Sequence, residues 1–171
     1  ILGPWGSCRP GIGPFRRGPL RALLRAAARR ATRVVALSTG MADNLVTLWG
    51  FDPARVEVIP NGVDIERYRP RPGALRPEGL PAAGPLVLGV GRLTPAKRYD
   101  LLLEAWRDVR RAIPEAHLVI LGDGALREPL RRQAERLDLS TSVHFPGRRQ
   151  DIDRCLAAAD LYVSSSETEG M

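Results

Sequence analysis

Two cations lie five residues apart in a short polar segment, and together they could bind phosphate groups. Arg92 and Lys97 belong to the stretch GRLTPAK, which directly follows an apolar run at 86–90. Gly91 allows the backbone to turn sharply, and the N-terminus of the helix predicted after Lys97 adds partial positive charge. A guanidinium, an ammonium and a helix end suit a diphosphate. Two solvated loop cations are the alternative, but Lys97 is the only lysine among 26 basic residues, which favours a dedicated role.

Three further segments could add groups to the same ligand. Each follows a later apolar run, and they read Gly122-Asp123-Gly124, Pro146-Gly147-Arg148-Arg149 and Ser164 to Met171. The first resembles a dinucleotide-binding turn without its full glycine spacing, so a tight turn capped by Asp123 is the alternative. The loop with Arg148 could line a base pocket or be a simple turn. Glu169, beside Gly170, could accept hydrogen bonds from sugar hydroxyls or belong to an acidic surface loop.

The sequence lacks the motifs of common metal sites, P-loops and serine hydrolases. It has no HExxH, CxxC, P-loop or GxSxG pattern. Cys8 and Cys155 cannot form a disulfide scaffold or a four-cysteine zinc site. His117 and His144 fall at the start of a predicted strand or inside one, which favours a structural role over ligation or catalysis. We therefore expect no metal site and no cofactor.

Alternating strands and helices must position these segments in the second half of the chain. Continuous apolar runs predict four strands, at 86–90, 118–121, 143–145 and 161–164. Helical spacing predicts three helices, at 99–113, 126–138 and 152–159. The inner face of the first of these is predicted to carry Leu102, Leu103, Trp106, Val109 and Ile113. Such alternation gives right-handed βαβ units and a parallel sheet covered on both faces, with ligands bound beyond the carboxyl ends of the strands.

The first half has a different composition. Residues 1–19 are rich in glycine and proline, which predicts a loop, and Pro19 opens a helix. A strand at 34–37, a helix capped by Ser38 or Thr39 and ending before Gly50, and a strand at 56–59 follow. Residues 70–85 are again rich in proline and glycine. The predicted organisation is the remnant of one domain at 1–56, a crossing and linker at 57–85, and a second domain at 86–171.

The chain is strongly basic, with a formal net charge of +7. Every basic residue except Lys97 is arginine, which indicates a compositional bias and solvated side chains. Arg21, Arg25 and Arg29 lie one turn apart on the predicted first helix. They leave open a non-enzymatic basic module that binds nucleic acid or an anionic membrane. No apolar run approaches the roughly 20 residues of a membrane span, and the interleaved aromatic and basic residues of single-strand binders are missing.

Five motifs occur together in a recognisable order, namely VIPNGVD, GRLTPAK, LVILGDG, VHFPG and SSSETEGM. From about Pro19 to Met171, the chain therefore resembles the retaining glycosyltransferases of family 4, also called glycosyl transferases group 1. The resemblance implies an α/β fold of the GT-B type. An incomplete Rossmann-like parallel sheet of the donor-binding domain would follow the end of a second Rossmann-like domain, with Asn61 and Gly62 at the crossing.

The resemblance also implies a reaction and its partners. A hexose would pass from a nucleotide-diphosphate sugar to a hydroxyl acceptor (a sugar, a lipid or a small molecule), with retention of configuration and without a metal. Nucleic acid is not an expected partner. The implied location is the cytoplasm, with peripheral contact at the inner face of the membrane as an option. A sugar-nucleotide epimerase, which can share the two-Rossmann architecture, stays an alternative.

Site residues carry over from the motifs position by position. Arg92 and Lys97 match the pair that holds the donor diphosphate, and Arg148 matches the loop beside the nucleobase. Glu169 matches the glutamate that begins a Glu-x7-Glu motif and contacts the donor sugar, which makes it the implied catalytic residue. Gly170 with its neighbour would present backbone amides to the phosphate and sugar.

The C-terminal end of the motif falls at the end of the sequence. The neighbour of Gly170 is Met171, the last residue of the sequence, and the second glutamate of the Glu-x7-Glu motif would fall beyond it. Because the chain opens at Ile1 rather than a methionine and closes shortly after a predicted strand, we expect a fragment. We also expect it to have little or no activity alone.

Overall fold

The computed structural model describes residues 26, 28 and 30–167, and these residues form two compact units. The first unit extends to Gly62 and the second runs from Val63 to Glu167, so the division falls inside the predicted crossing segment. The predicted loop at 1–19 lies outside the described residues. So does most of the predicted first helix, of which Ala26, Ala28 and Arg30 are described and helical. The arginines 21, 25 and 29 are likewise outside the described part.

The first unit contains a small parallel βαβ arrangement. Strand β1 (Val34–Ala36) pairs in parallel with β2 (Val56–Val58), and helix α1 (Thr39–Thr47) connects them. Ser38 has extended backbone angles and its hydroxyl accepts a hydrogen bond from the Met41 amide at 3.3 Å, so the predicted N-cap is confirmed. Both strands end one residue earlier than predicted.

The second unit is built on a four-stranded parallel sheet. Its strands are β3 (Leu86–Val90), β4 (His117–Leu121), β5 (Val143–Gly147) and β6 (Leu161–Tyr162). The order across the sheet is β5-β4-β3-β6. The connecting helices are α2 (Tyr99–Ala112), α3 (Arg127–Arg136) and α4 (Ile152–Ala157). The predicted parallel sheet is confirmed.

Helices cover both faces of this sheet. On one face, Leu118 and Ile120 pack in a cluster that includes Trp106 of α2 and Leu130 of α3. The other face forms a separate buried cluster, composed of Leu86, Leu88, Val119, Leu121 and Cys155 of α4. Side chains of successive strand residues point to opposite faces, which is why these strands are apolar along their whole length.

Several element ends differ from the prediction. Helix α2 ends at Ala112, and Ile113 leaves the helical conformation, so its side chain is 40% exposed rather than on the inner face. Pro114 explains the early end, because the residue before a proline is disfavoured in the helical region. Strand β5 continues through Pro146 to Gly147, so these two residues are not loop. Strand β6 has only two residues and both are more than half exposed, because among the described strands it pairs only with β3.

Two arginines fasten residues 63–85 to the rest of the second unit. Arg67 forms an ion pair with Asp153 at 3.4 Å. Arg76 donates to the Pro81 carbonyl at 2.9 Å and contacts Asp160 at 3.5 Å. The Asp160 carboxylate also accepts from the first amide of β3 at 2.7 Å. Arginine side chains thus order a segment whose composition predicts a linker.

The two histidines form a pair at the amino ends of their strands. Nδ1 of His117 and Nε2 of His144 are 3.0 Å apart, so one ring donates a hydrogen bond to the other. Burial lowers the pKa of both rings, and the positive charges of Arg110 and Arg76 lower that of His117 further. This geometry supports the predicted structural role.

The histidine pair makes stability depend on pH. Both rings stay neutral to a lower pH in the folded state than in the unfolded chain, which protonates them below about pH 6.5. The contribution of the two histidines to the free energy of unfolding is therefore fully present above that pH, and it decreases as the pH falls below it. Urea denaturation at about pH 7.5 and about pH 5.5 measures this difference. These are the only two histidines in the sequence, so the variant H117N/H144N should show a smaller difference. An equal decrease in both proteins would contradict the assignment.

Candidate functional site

The strand order creates a topological switch point at the carboxyl edge of the sheet. From β3 the chain passes to β4 and β5 on one side, and it then returns to β6 on the other side of β3. Helix α2, which follows β3, packs on one face, whereas α4, which precedes β6, packs on the opposite face. The loops after β3 and β6 therefore flank a topological switch point. In open α/β sheets this is where ligands bind.

The loop after β3 carries both predicted phosphate-binding cations. Arg92 is exposed and Lys97 is partly buried. A single 3-10 turn (Pro95–Lys97) and a left-handed residue, Arg98, lead into α2. The Arg98 guanidinium hydrogen-bonds both oxygens of Asp100 at 3.2 Å, and this bond raises the pKa of Arg98 and lowers that of Asp100. The Arg98 side chain thus binds Asp100 at the start of α2.

Two glycines allow this loop to lie against the end of β4. Gly122 has φ +142°, and a Cβ there would collide with the carbonyl group of Gly91. A Cβ at Gly91 would in turn lie 2.9 Å from the Tyr99 hydroxyl and 3.2 Å from Cε of Lys97. The Lys97 stem therefore lies alongside Gly91. Only residues without a side chain permit this approach.

The turn after β4 holds the loop in place through backbone hydrogen bonds. The Leu93 amide donates to the Asp123 carbonyl at 3.0 Å, and the Leu126 amide donates to the Leu93 carbonyl at 3.1 Å. The Asp123 carboxylate accepts from the adjacent Gly124 amide at 2.8 Å. It does not cap α3, whose N-cap is Leu126. The glycine-rich turn is accordingly a support for the loop with Arg92 and Lys97.

The segment after β6 contacts the same loop from the other side. The Ser165 hydroxyl donates to the Lys97 carbonyl at 2.7 Å, and the Glu167 amide donates to the Ala96 carbonyl at 2.9 Å. Sequence reasoning missed Ser165, because one serine among three consecutive serines carries no distinguishing signal.

Two adjacent arginines at the end of β5 have different environments. Arg148 is exposed directly after the last strand residue. Arg149 binds Asp151 through two hydrogen bonds of 2.8 and 2.7 Å and donates to the Glu78 carbonyl at 2.9 Å. Arg149 thus organises local structure, whereas Arg148 lies at the edge where a base pocket is predicted.

Glu169, Gly170 and Met171 lie outside the described residues, so the structure locates only Arg92, Lys97 and Arg148 among the predicted site residues. Within the described part, no group of three or more His, Cys, Asp or Glu side chains could hold a metal ion. No helix there is long and apolar enough to cross a membrane. A cavity of about 730 Å³ lies at the amino end of β6, lined by residues of 68–76 and 153–160. The loops that follow β3 and β6 contribute no residue to its lining.

Comparison with known proteins assigns the family. A family model described as "Glycosyl transferases group 1" matches residues 74–171, which is more than half of the chain. The chain belongs to the glycosyl transferases group 1 family. A second model, "Glycosyltransferase Family 4", matches residues 4–67.

Two curated relatives are named for different donors and acceptors. A GDP-mannose-dependent phosphatidylinositol monomannoside mannosyltransferase of Corynebacterium glutamicum is 36% identical over 67% of this chain and 31% of its own length. A UDP-Gal:alpha-D-GlcNAc-diphosphoundecaprenol alpha-1,3-galactosyltransferase of Escherichia coli is 33% identical over 85% of this chain and 39% of its own length. The chain thus spans roughly a third of the curated relatives it matches.

Solved structures share the fold of this chain. HepE of Anabaena in complex with UDP has a TM-score of 0.75 and 26% identity, over 93% of this chain and 45% of that one. Its complex with UDP-glucose has a TM-score of 0.73 and 28% identity, over 88% of this chain and 43% of that one. The predicted GT-B fold class is confirmed for the part of the protein that this chain represents.

The close packing at Gly122 gives a direct test of the site architecture. The variant G122A forces a Cβ into the Gly91 carbonyl and requires a left-handed backbone of alanine. We expect a loss of about 1–3 kcal/mol in the free energy of unfolding. The matched control is G62A, because a Cβ at Gly62 meets nothing within 4 Å. Urea denaturation compares the two, and a G122A protein as stable as wild type would show that the loops do not pack in this way.

Proposed function

We propose that this chain carries the nucleotide-sugar-binding part of a retaining glycosyltransferase, preceded by the end of its acceptor domain. The observation that supports this most strongly is the joining of the loops after β3 and β6 at the switch point, through Ser165 and Glu167. One of these loops carries Arg92 and Lys97, and the other leads to Glu169. Both curated relatives named above are transferases, which supports sugar transfer over epimerisation.

The proposed donor is a nucleoside-diphosphate hexose. Arg92 supplies a planar donor group for phosphate oxygens, and Lys97 supplies a point charge. The N-terminus of α2 adds partial positive charge at the same edge. HepE was solved with UDP and with UDP-glucose, which supports a diphosphate ligand in this architecture. The donors of the relatives include both GDP-mannose and UDP-galactose, so the proposal extends to either base.

In the proposed reaction, the bond between the anomeric carbon and the donor diphosphate breaks, and a bond from the acceptor oxygen to that carbon forms on the same face. The acceptor proton passes to the departing diphosphate oxygen. Arg92 and Lys97 stabilise the negative charge that develops on the diphosphate, which is the contribution expected of prepositioned cations. The proposal assigns the sugar contact to Glu169, the contact with phosphate and sugar to the backbone amides of Gly170 and Met171, and the position beside the base to Arg148. No metal or cofactor takes part in this proposal.

The acceptor in this proposal is a hydroxyl group on a sugar or lipid. Two relatives support this range, since their names specify a phosphatidylinositol monomannoside and a GlcNAc-diphosphoundecaprenol. Both of those acceptors are lipid-linked, which supports peripheral membrane contact, and the proposed location remains the cytoplasm.

Removing either cation tests the proposal. The variants R92A and K97M should each weaken binding of UDP or GDP by about 1.5–3 kcal/mol, because each loses a charge-assisted hydrogen bond. Isothermal titration calorimetry measures the change. R132A is the matched control, since it removes an exposed arginine of α3 and should leave the affinity unchanged. Equal affinity in R92A, K97M and wild type would remove both residues from the site.

A further inference from the structure

Ser165 makes a contact that links the two loops of the proposed donor site. Its hydroxyl donates a hydrogen bond of 2.7 Å to the Lys97 carbonyl, and it is partly buried. We propose that Ser165 is a positioning residue for the donor diphosphate, which acts by fixing the backbone that carries the Lys97 ammonium. This inference rests on the proposed function, and it adds a role to a residue outside the cations and the glutamate.

The loop after β3 is held differently at its two ends. At its start, Gly91 and Leu93 are tied to the β4 side by backbone hydrogen bonds of 2.9 and 3.0 Å, to Leu121 and Asp123. Towards its end, two neighbouring carbonyls, of Ala96 and Lys97, accept hydrogen bonds from the segment after β6. One of those two bonds comes from the Glu167 backbone amide, which only a proline substitution would remove. The other depends entirely on the hydroxyl of Ser165.

The Ser165 hydroxyl binds the backbone of Lys97, the residue whose ammonium is proposed to contact the diphosphate. The Lys97 stem lies against Gly91, so the position of the ammonium depends on where the backbone of residue 97 is held. The bond of 2.7 Å has the usual length of a hydroxyl-to-carbonyl hydrogen bond. A charged group held in place before the ligand arrives binds it without further ordering.

An effect of Ser165 that acts through Lys97 can be distinguished from a general effect of Ser165 on the stability of the fold. If the hydroxyl works only by placing the ammonium, its removal must have no effect on nucleotide affinity once the ammonium is gone. A double-mutant cycle measures this coupling directly. The proteins needed are wild type, S165A, K97M and S165A/K97M, titrated with UDP and with GDP in a calorimeter.

We expect S165A to weaken binding of the preferred nucleotide about 3- to 10-fold, as loss of one neutral hydrogen bond does. In the K97M background the same substitution should change the affinity less than about 2-fold. A second pair, S165T and S165V, has the same shape and differs in the hydroxyl. S165T should bind within about 2-fold of wild type, and S165V should match S165A. S140A, at an exposed serine between α3 and β5, is the control and should bind as wild type does.

Each remaining outcome decides against the proposal. Unchanged affinity in S165A, or an equal loss in both backgrounds, overturns it while leaving the proposed function intact. So does equal affinity of S165T and S165V, or a loss of folding in S165A and S165V together, which would make the residue structural. Wild-type protein that binds neither UDP nor GDP overturns the proposed function, and the role of Ser165 with it.

Discussion

The candidate site depends on how closely two strand-end segments approach each other at the edge of the sheet. The backbones at Gly91 and Gly122 meet where a side chain on Gly122 would collide with the opposing carbonyl. This contact places the loop with Arg92 and Lys97 directly against the turn after β4, where backbone hydrogen bonds secure it. The glycine content of GRLTPAK and LVILGDG thus serves packing between loops, and the cations derive their position from it.

The order of the strands brings the two loops of the candidate site together. Because β6 returns to the far side of β3, the segment after β6 meets the loop after β3, and Ser165 and Glu167 complete the contact. Parallel strands bring their carboxyl ends to one edge, so the loop that carries Arg92 and Lys97 and the segment that carries Glu167 meet there although they are far apart in the sequence. The relatives solved with UDP share this fold over most of the chain.

Sequence patterns predicted the elements better than their arrangement. Apolar runs identified β3 and β4 closely, because strands buried on both faces leave a continuous signal. The position of β6 beside β3 was not predictable, since local periodicity carries no information on strand order. The sequence does not distinguish two adjacent arginines, so it did not predict that Arg149 binds Asp151 while Arg148 is exposed. Hydrogen bonds such as that of Ser165 join residues 68 positions apart and leave no local pattern.

The single lysine of the chain permits the most direct measurement of the central claim, that this edge of the sheet binds a diphosphate through Lys97. Protein labelled with isotopic lysine gives one set of side-chain signals in NMR spectra, all from Lys97. Titration with UDP and GDP should shift the signal of its ε-methylene group, and inorganic pyrophosphate should compete for the same change. A lysine signal that stays in place while other signals of the protein respond to the nucleotide would contradict the account.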